Sequence, residues 1–270
     1  MQPGRLRLEG KVAVVTGAGS SGPGVGTGKA ISILFTREGA RVLLVDRVGG
    51  RAEETLAAIR EDGGEASVCE ADVTIAADCQ RIMDTAQEHY GRLDILVNNV
   101  GILGPGSAVT VKEEDWDRVL DANLKSMMLT SKYAIPAMIA GGGGAIVNLS
   151  SIAGLRAGSG GASLPYAVSK GGVIALTTQM AVHHGRDNIR VNCIAPGHIY
   201  TPMVAGSMSE EMRDLRRRAG PLGTEGTAWD IAWAAVFLAS DEARWITGVV
   251  LPVDAGLLAT TPLAMLQQLR

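Results

Sequence analysis

The sequence has 270 residues, of which 35 are glycine and only 4% are aromatic. The glycines cluster instead of recurring at every third position, which excludes a collagen-like chain, and the 46% hydrophobic content excludes an intrinsically disordered one. A formal net charge of −3 argues against nucleic acid as the main partner, because nucleic-acid-binding proteins present a basic surface.

Short runs rich in Val, Ile, Leu and Ala alternate along the chain with longer amphipathic segments. The runs predict strands at Val12–Thr16, Arg41–Asp46, Ala66–Ala71, Leu93–Asn98, Ala145–Ser150, Ile189–Ala195 and Val249–Val253. The amphipathic segments predict helices over 27–38, 51–62, 75–89, 113–139, 166–184 and 227–239. Continuously apolar strands between helices are typical of a parallel sheet covered on both faces. We therefore predict an α/β fold, a doubly wound parallel sheet of about seven strands, as a single domain over residues 1–270.

The first predicted strand runs directly into a glycine-rich segment. Its six glycines are Gly17, Gly19, Gly22, Gly24, Gly26 and Gly28. The first three match the pattern GxGxxG, but a helix beginning at Pro23 would then contain three glycines, each costing about 1 kcal/mol relative to alanine. We therefore predict a helix beginning near Thr27. Gly17, Gly26 and Gly28 would then let the backbone approach the phosphates of a dinucleotide at the helix N-terminus.

Asp46 ends the second predicted strand. A carboxylate at this position accepts hydrogen bonds from both hydroxyls of an adenosine ribose and repels a 2′-phosphate. The loop over residues 17–28 contains no Arg or Lys that would bind such a phosphate. We therefore predict NAD as the cofactor rather than NADP, although Arg47 directly after Asp46 leaves NADP as the alternative.

Candidate catalytic residues follow the later strands. The fifth predicted strand ends in Ser150 and Ser151, at the carboxyl edge of the sheet where ligands of such sheets bind. Tyr166 and Lys170 are four residues apart, which places both side chains on one face of the next helix. A nearby ammonium group lowers the pKa of a phenol, so this tyrosine is a candidate general acid and base.

The polar stretch over residues 201–220 interrupts the alternation of strands and helices. It contains three methionines and the run Arg216, Arg217, Arg218. We predict that it is a mobile excursion that serves as a lid over the substrate.

In these motifs and their order, the chain resembles the short-chain dehydrogenase/reductase family. The matching pieces occur in family order over nearly the whole chain: TGA…GTGKA at 16–30, Asp46, Asp72–Val73, NNVG at 98–101, Asn123, NLSS at 148–151, YAVSK at 166–170, APGHIYTPM at 195–203 and PVDAG at 252–256.

The resemblance implies a role for each matching position. Tyr166 would exchange the proton of a substrate hydroxyl, and Lys170 would lower its pKa and bind the nicotinamide ribose. Ser151, rather than Ser150, would hold the substrate oxygen, and Asn123 would hold a water that links Lys170 to solvent. The remaining implied cofactor contacts are Asp72 and Val73 at the adenine, Asn99 and Gly101 along the cofactor floor, and Pro196, Gly197, Ile199 and Thr201 around the nicotinamide.

Two segments depart from the family pattern. The phosphate loop is about five residues longer than usual, and the extra residues either wrap the pyrophosphate or ribose or bulge into solvent. The segment between Ser151 and Tyr166 is about two residues longer, with the addition in residues 157–165 at the mouth of the substrate pocket. Substrate-pocket candidates are Ile102, Leu103, Ala153, His198, Met203 and Val204, together with the loops near Ser159 and Met208.

These features support three functional hypotheses. The first is an NAD-dependent oxidoreductase that interconverts a secondary alcohol and a ketone, and the second is an NADPH-dependent 3-oxoacyl-thioester reductase. The third is a non-enzymatic redox sensor that binds a nucleotide. The resemblance also implies a homotetramer or homodimer with the helices near 113–139 and 166–184 at one interface and the tail from Leu257 to Arg270 across another.

The remaining expectations concern metal, compartment and membrane. Cys69, Cys79 and Cys193 have no CxxC spacing, so neither a disulfide framework nor a metal site is expected, and a reducing cytoplasm fits best. The N-terminal residues lack the apolar segment of a signal peptide. The uncharged run over residues 133–155 contains Pro136 and four consecutive glycines, so we do not predict a membrane span.

Overall fold

The computed structural model describes residues 6–157, 164–206, 208–261 and 264–269. Within these ranges seven strands form one parallel sheet in the order β3-β2-β1-β4-β5-β6-β7. The strands are β1 Val12–Thr16, β2 Arg41–Asp46, β3 Ala66–Glu70, β4 Ile95–Asn98, β5 Gly144–Leu149, β6 Ile189–Pro196 and β7 Val250–Val253. The predicted doubly wound α/β fold is confirmed.

Helices cover both faces of the sheet. Their bounds are α1 Thr27–Arg37, α2 Gly49–Glu61, α3 Ala76–Tyr90, α4 Glu113–Leu120, α5 Ser126–Ala140, α6 Leu164–His184, α7 Pro202–Ala205, α8 Glu210–Ala219, α9 Ala228–Ala239 and α10 Leu266–Leu269. One hydrophobic core contains the buried faces of α1, α2 and α9, and a second contains those of α3, α5 and α6. Strand β1 contributes Ala13 and Val15 to the first core and Val14 to the second, because successive side chains point to opposite faces.

The strand order reverses between β1 and β4, which are neighbours in the sheet although two strands intervene in sequence. In open α/β sheets such a switch point leaves a crevice at the carboxyl ends of the strands, where ligands bind. The glycine-rich loop after β1 and the segment after β4 therefore border the same crevice.

The long helix predicted over 113–139 is divided by a π-helical turn at Asp121–Lys125 between α4 and α5. A π turn inserts an extra residue into the helix, and such turns are frequent at functional sites. This one contains Asn123, which is fully buried.

The predicted excursion over 201–220 is helical through most of its length, as α7 and α8. Local signals explain α8, because Ser209 caps its N-terminus by accepting a hydrogen bond from the Met212 amide. Two glutamates occupy its first turn and three arginines its last, which complements the helix dipole. We did not predict these helices; a gating role for the segment remains a prediction, and Ser207 lies outside the described residues.

Candidate active site

A cavity of about 1450 Å³ opens at the carboxyl edge of the sheet. This volume exceeds the roughly 300–1,000 Å³ of pockets for one small ligand, so a dinucleotide and a substrate have room side by side. Every residue that we predicted for the cofactor lines it: Gly17, Gly26, Thr27, Gly28, Asp46, Arg47, Asp72, Val73, Asn99, Gly101, Tyr166, Lys170, Pro196, Gly197, Ile199 and Thr201.

The phosphate-binding end of the cavity is formed by the junction of β1 and α1. Helix α1 begins at Thr27, as predicted, and its N-cap, Gly26, has no side chain to cap the first amides. No acidic residue lies in the first turn. These uncapped N–H groups border the cavity and fit an anion such as a pyrophosphate.

The lack of a side chain at Gly28 lets the glycine-rich loop pack closely against the first turn of α1. A Cβ atom at this position would lie 1.9 Å from the carbonyl oxygen of Gly17 and 2.6 Å from Nδ2 of Asn99, closer than any side chain tolerates. Gly17 itself has a φ of 63°, in the left-handed region that favours glycine. The two glycines therefore let the loop lie directly on the first turn of α1.

Within the lengthened part of the glycine-rich loop, Gly19 and Ser21 line the cavity. The amide of Gly19 donates to the Asp46 carboxylate over 3.1 Å, and Ser20 Oγ accepts from the Gly26 amide over 2.8 Å. Farther along, a Cβ atom at Gly22 would lie 3.8 Å from Cβ of Pro202 in α7. The loop thus connects the strand end that carries Asp46 with the helix that follows β6.

At the adenosine end of the cavity, the carboxylate of Asp46 has two basic neighbours. Asp46 accepts hydrogen bonds from the amides of Gly19 and Val48, which orient its carboxylate and leave further lone pairs for ribose hydroxyls. Arg47 and Arg51 also line this end. Sequence reasoning missed Arg51, which lies in the first turn of α2, shortly after Asp46 and Arg47.

The side chain of Asn99 forms hydrogen bonds with the start of the glycine-rich loop. Its side-chain amide donates to the carbonyl oxygens of Thr16 and Gly17 over 3.1 and 3.0 Å, and its backbone amide donates to Thr16 Oγ1. The residue therefore fastens the end of β4 to the glycine-rich loop after β1.

Tyr166 and Lys170 lie on the first turns of α6, and both line the cavity together with Ser151 from the end of β5. Ser150 differs from its neighbour, because it is buried and its hydroxyl donates to the carbonyl oxygen of Lys170 over 2.7 Å. Ser150 therefore fastens α6 to β5, while Ser151 remains available to a ligand.

The amine of Lys170 is buried beneath the cavity wall. It donates to the carbonyl oxygen of Leu149 over 2.7 Å and lies 5.8 Å from the centre of the Tyr166 ring. Burial lowers the pKa of Lys170 to about 8, partly opposed by the neighbouring Cys193.

Contrary to our prediction, Lys170 does not lower the pKa of Tyr166 in the structure. Burial raises the pKa of the phenol above its ordinary value, and the hydrogen bond between Tyr166 and Ser151 opposes this only in part. The physical reason is that the Lys170 amine donates to a carbonyl oxygen instead of the phenol.

Asn123 lies behind the cavity rather than on its wall. Its side chain accepts a hydrogen bond from the Ile102 amide over 2.7 Å and donates to the Ile102 carbonyl and to Ser169 Oγ, both over 3.0 Å. These bonds join the π turn to the segment after β4 and to α6. A water-holding role for Asn123 remains a prediction.

The buried Lys170 predicts a pH-dependent stability. Because its pKa in the folded chain is about 8 instead of 10.5, the unfolded chain binds one more proton between these pH values. We therefore expect the free energy of unfolding of the wild type to rise by about 3 kcal/mol relative to Lys170→Met from pH 8 to pH 10.5. Denaturant unfolding of both proteins over this range measures the difference, and parallel curves would contradict a buried amine.

The predicted substrate residues Ala153, His198 and Met203 also line the cavity. Desolvation, followed by the charge of Arg216, lowers the pKa of His198 below its ordinary value. The predicted contribution of the lengthened loop over 157–165, including Ser159, falls largely on residues 158–163, which lie outside the described residues.

The substrate end of the cavity is the part lined by the predicted substrate residues Ala153, His198 and Met203. Sequence reasoning missed some of its residues. Leu257, Leu258, Met265 and Leu269 line it, whereas the sequence suggested only an intersubunit role for the tail. Arg216 of α8 lines it as well. No local pattern revealed these positions, because they reach the cavity by long-range packing of the chain end against α8.

Within the described part of the chain, no group of three or more His, Cys, Asp and Glu side chains is arranged to hold a metal ion. No helix in these ranges combines the length and the apolar character needed to cross a membrane.

Comparison with known proteins agrees with this geometry. A family model described as enoyl-(acyl carrier protein) reductase matches residues 23–258. The chain is 38% identical over 256 residues to 3-oxoacyl-(acyl-carrier-protein) reductase FabG of Thermotoga maritima, covering 93% of this chain and 99% of that protein. It is 37% identical over 262 residues to 2-(S)-hydroxypropyl-CoM dehydrogenase 3 of Xanthobacter autotrophicus, covering 94% and 98%.

A solved structure extends the likeness to three dimensions. The 7α-hydroxysteroid dehydrogenase complexed with NADH and 7-oxo glycochenodeoxycholic acid superimposes with a TM-score of 0.88 at 35% identity, covering 95% of this chain and 97% of that one. The chain therefore belongs to the short-chain dehydrogenase/reductase family of nicotinamide-dependent oxidoreductases.

Proposed function

We propose that the protein interconverts a secondary alcohol and a ketone with NAD(H), using Tyr166 as general acid and base. The observation that carries the proposal is that Ser151, Tyr166 and Lys170 meet on one wall of the cavity that also contains the uncapped N-terminus of α1. A nicotinamide bound there would supply or accept the hydride.

The side chains have complementary tasks in this proposal. The Tyr166 phenol gives its proton to the substrate oxygen in reduction and takes one in oxidation. The Ser151 hydroxyl donates a hydrogen bond to the same oxygen and stabilises developing negative charge. Lys170, whose amine is held by the Leu149 carbonyl, binds the nicotinamide ribose. Asn123 positions this group, since it joins the segment at Ile102 to Ser169 of α6.

The cofactor preference rests on Asp46. Its carboxylate, held by two backbone amides, accepts from ribose hydroxyls and repels a 2′-phosphate. Arg47 and Arg51 favour the second candidate, an NADPH-dependent 3-oxoacyl-thioester reductase, because guanidinium groups bind phosphate. The likeness to the Thermotoga maritima reductase is a second argument for that substrate class.

Replacement of Asp46 distinguishes these cofactors. We expect the wild type to bind NADH more tightly than NADPH, and Asp46→Ser to shift the ratio of dissociation constants toward NADPH by about tenfold or more. The shift follows because repulsion disappears while Arg47 and Arg51 remain. Fluorescence titration with both cofactors measures the ratio.

The matched control is Asp62→Ser, because this carboxylate follows α2 and pairs with Arg37 at 2.7 Å, apart from the residues that line the cavity. Its cofactor ratio should equal that of the wild type. Tighter binding of NADPH by the wild type would contradict the NAD preference and favour the second candidate.

The quaternary state also remains a proposal. A small apolar groove formed by α4, the π turn, α5 and α6 is lined by Leu120, Leu124, Met128 and Leu176 among others. An apolar groove on these helices supports the homotetramer or homodimer that the family resemblance implies.

A further inference from the structure

The substrate end of the cavity combines an apolar wall with a positive charge. The apolar side chains come from α7, the segment between α7 and α8, α8 itself and the chain end: Met203, Met208, Met212, Leu258, Met265 and Leu269. Methionine is unbranched and flexible, so such a wall adapts to apolar bodies of different shapes. This wall favours a substrate with a sizeable hydrophobic body.

The charge belongs to Arg216, which is half-buried on α8. Its guanidinium makes only two hydrogen bonds to the described residues, to Sδ of Met208 and to the carbonyl oxygen of Ile199, both 3.5 Å long. A thioether is a weak acceptor, and a guanidinium has five N–H donors. Most of the donor capacity of Arg216 is therefore unused within the described protein.

The neighbouring arginines of α8 differ from Arg216. Arg213 binds Glu225, and Arg217 and Arg218 both bind Asp214 at 2.6 and 2.8 Å. No carboxylate within the described ranges lies within ion-pair distance of Arg216. Burial lowers the pKa of its guanidinium, with Glu225 opposing, so the charge is desolvated without a direct counter-ion. Partial burial of a charge without an ion-pair partner costs free energy, which an anionic ligand would offset.

The other charged residues at this end do not compensate Arg216. Arg118 is paired with Asp115 at 2.7 Å, and Asp121 is paired with Lys125 at 3.1 Å. Arg156 is exposed and donates to the carbonyl oxygen of Leu155. Among its described lining residues, the substrate end therefore has no acid without an ion-pair partner, and it contains Arg216, a half-buried cation that makes no ion pair.

We propose that the substrate is an amphipathic anion, with a hydrophobic body against the methionine-rich wall and a carboxylate or comparable anionic group bound by Arg216. This proposal rests on the proposed alcohol–ketone chemistry and specifies its substrate class. Arg216 contributes to substrate binding and not to proton transfer, because a guanidinium donates hydrogen bonds but keeps its protons at physiological pH.

A binding experiment tests the anionic group without turnover. Decanoate and the neutral decanamide are titrated into the NADH-loaded enzyme by calorimetry, for the wild type, Arg216→Gln, Arg216→Lys and Arg217→Gln. We expect the wild type to bind decanoate more tightly than decanamide. Arg216→Gln should weaken decanoate binding by about ten- to hundredfold and leave decanamide unchanged, while Arg216→Lys should retain part of the preference.

Arg217→Gln is the matched control, because Arg217 is exposed on the same helix and does not line the cavity. It should bind both probes like the wild type. Equal binding of decanoate and decanamide by the wild type, no detectable decanoate binding, or equal losses in Arg216→Gln and Arg217→Gln would overturn the proposal. Thermal unfolding of Arg216→Gln confirms that the variant is folded.

A kinetic experiment separates this proposal from the proposed function. Secondary-alcohol carboxylic acids of increasing chain length are compared with their methyl esters as substrates with NAD. We expect Arg216→Gln to raise KM for the acids by about tenfold or more with little change in kcat, and to leave the esters unaffected. Equal kcat/KM for acids and esters would overturn the anionic substrate while the alcohol dehydrogenase activity stands, and absence of turnover in both series would overturn the activity itself.

Discussion

Replacement of Tyr166 by phenylalanine is expected to lower kcat for alcohol oxidation and ketone reduction by about 10²–10⁴-fold. The ring would keep its place at the start of α6, but no group there would exchange a proton with the substrate oxygen. NADH binding should stay within a few fold of the wild type. Steady-state kinetics with a panel of secondary alcohols, together with fluorescence titration of NADH, measure both quantities.

Tyr200→Phe is the matched control for this substitution. Tyr200 packs its ring 3.9 Å from the guanidinium carbon of Arg213 and does not line the cavity. Its loss of a hydroxyl should leave kcat unchanged. Wild-type turnover in Tyr166→Phe would refute the acid–base role, and a wild type that binds NADH but turns over no substrate would favour the non-enzymatic sensor.

The second large effect is expected from Gly28→Ala, which should weaken cofactor binding by a hundredfold or more. The new Cβ would lie 1.9 Å from the carbonyl oxygen of Gly17, so the loop must leave its position on the first turn of α1. Overpacking of this kind also destabilises a fold by about 1–3 kcal/mol. Fluorescence titration of NADH and denaturant unfolding measure the two effects.

Gly50→Ala provides the comparison for Gly28→Ala. Gly50 lies in the first turn of α2, and a Cβ atom there would meet nothing within 4 Å. This variant should bind NADH normally and be as stable as the wild type or slightly more so, because alanine favours a helix over glycine. Normal cofactor binding by Gly28→Ala would show that the loop tolerates displacement.

The glycine-rich loop illustrates how far local reasoning reaches. The cost of glycine inside a helix predicted that α1 begins at Thr27, and the structure agrees. Continuous apolar runs predicted the seven strands to within two residues, because strands buried on both faces are rich in apolar residues. The order of motifs along the chain then predicted which residues share one sheet edge.

Local sequence patterns could not predict hydrogen bonds between elements that are far apart along the chain. The sequence placed Lys170 beside Tyr166, but only the packing of α6 against β5 decides that its amine reaches the Leu149 carbonyl. The same applies to Asn99, whose side chain binds the loop after β1 rather than lying free. Such partners are fixed by three-dimensional distance, which sequence spacing does not encode.

The sequence by itself determined the α/β class, the start of α1 and the set of residues at the ligand edge, because strand and helix periodicities and glycine costs act over a few neighbouring residues. Only the tertiary structure decided what the substrate end contains. There α8 and the chain end are joined by the hydrogen bond from Arg218 to the Gln268 carbonyl, and Arg216 lies on the cavity wall while Arg217 is exposed. These three arginines are adjacent and identical in sequence, so their different surroundings arise from packing alone.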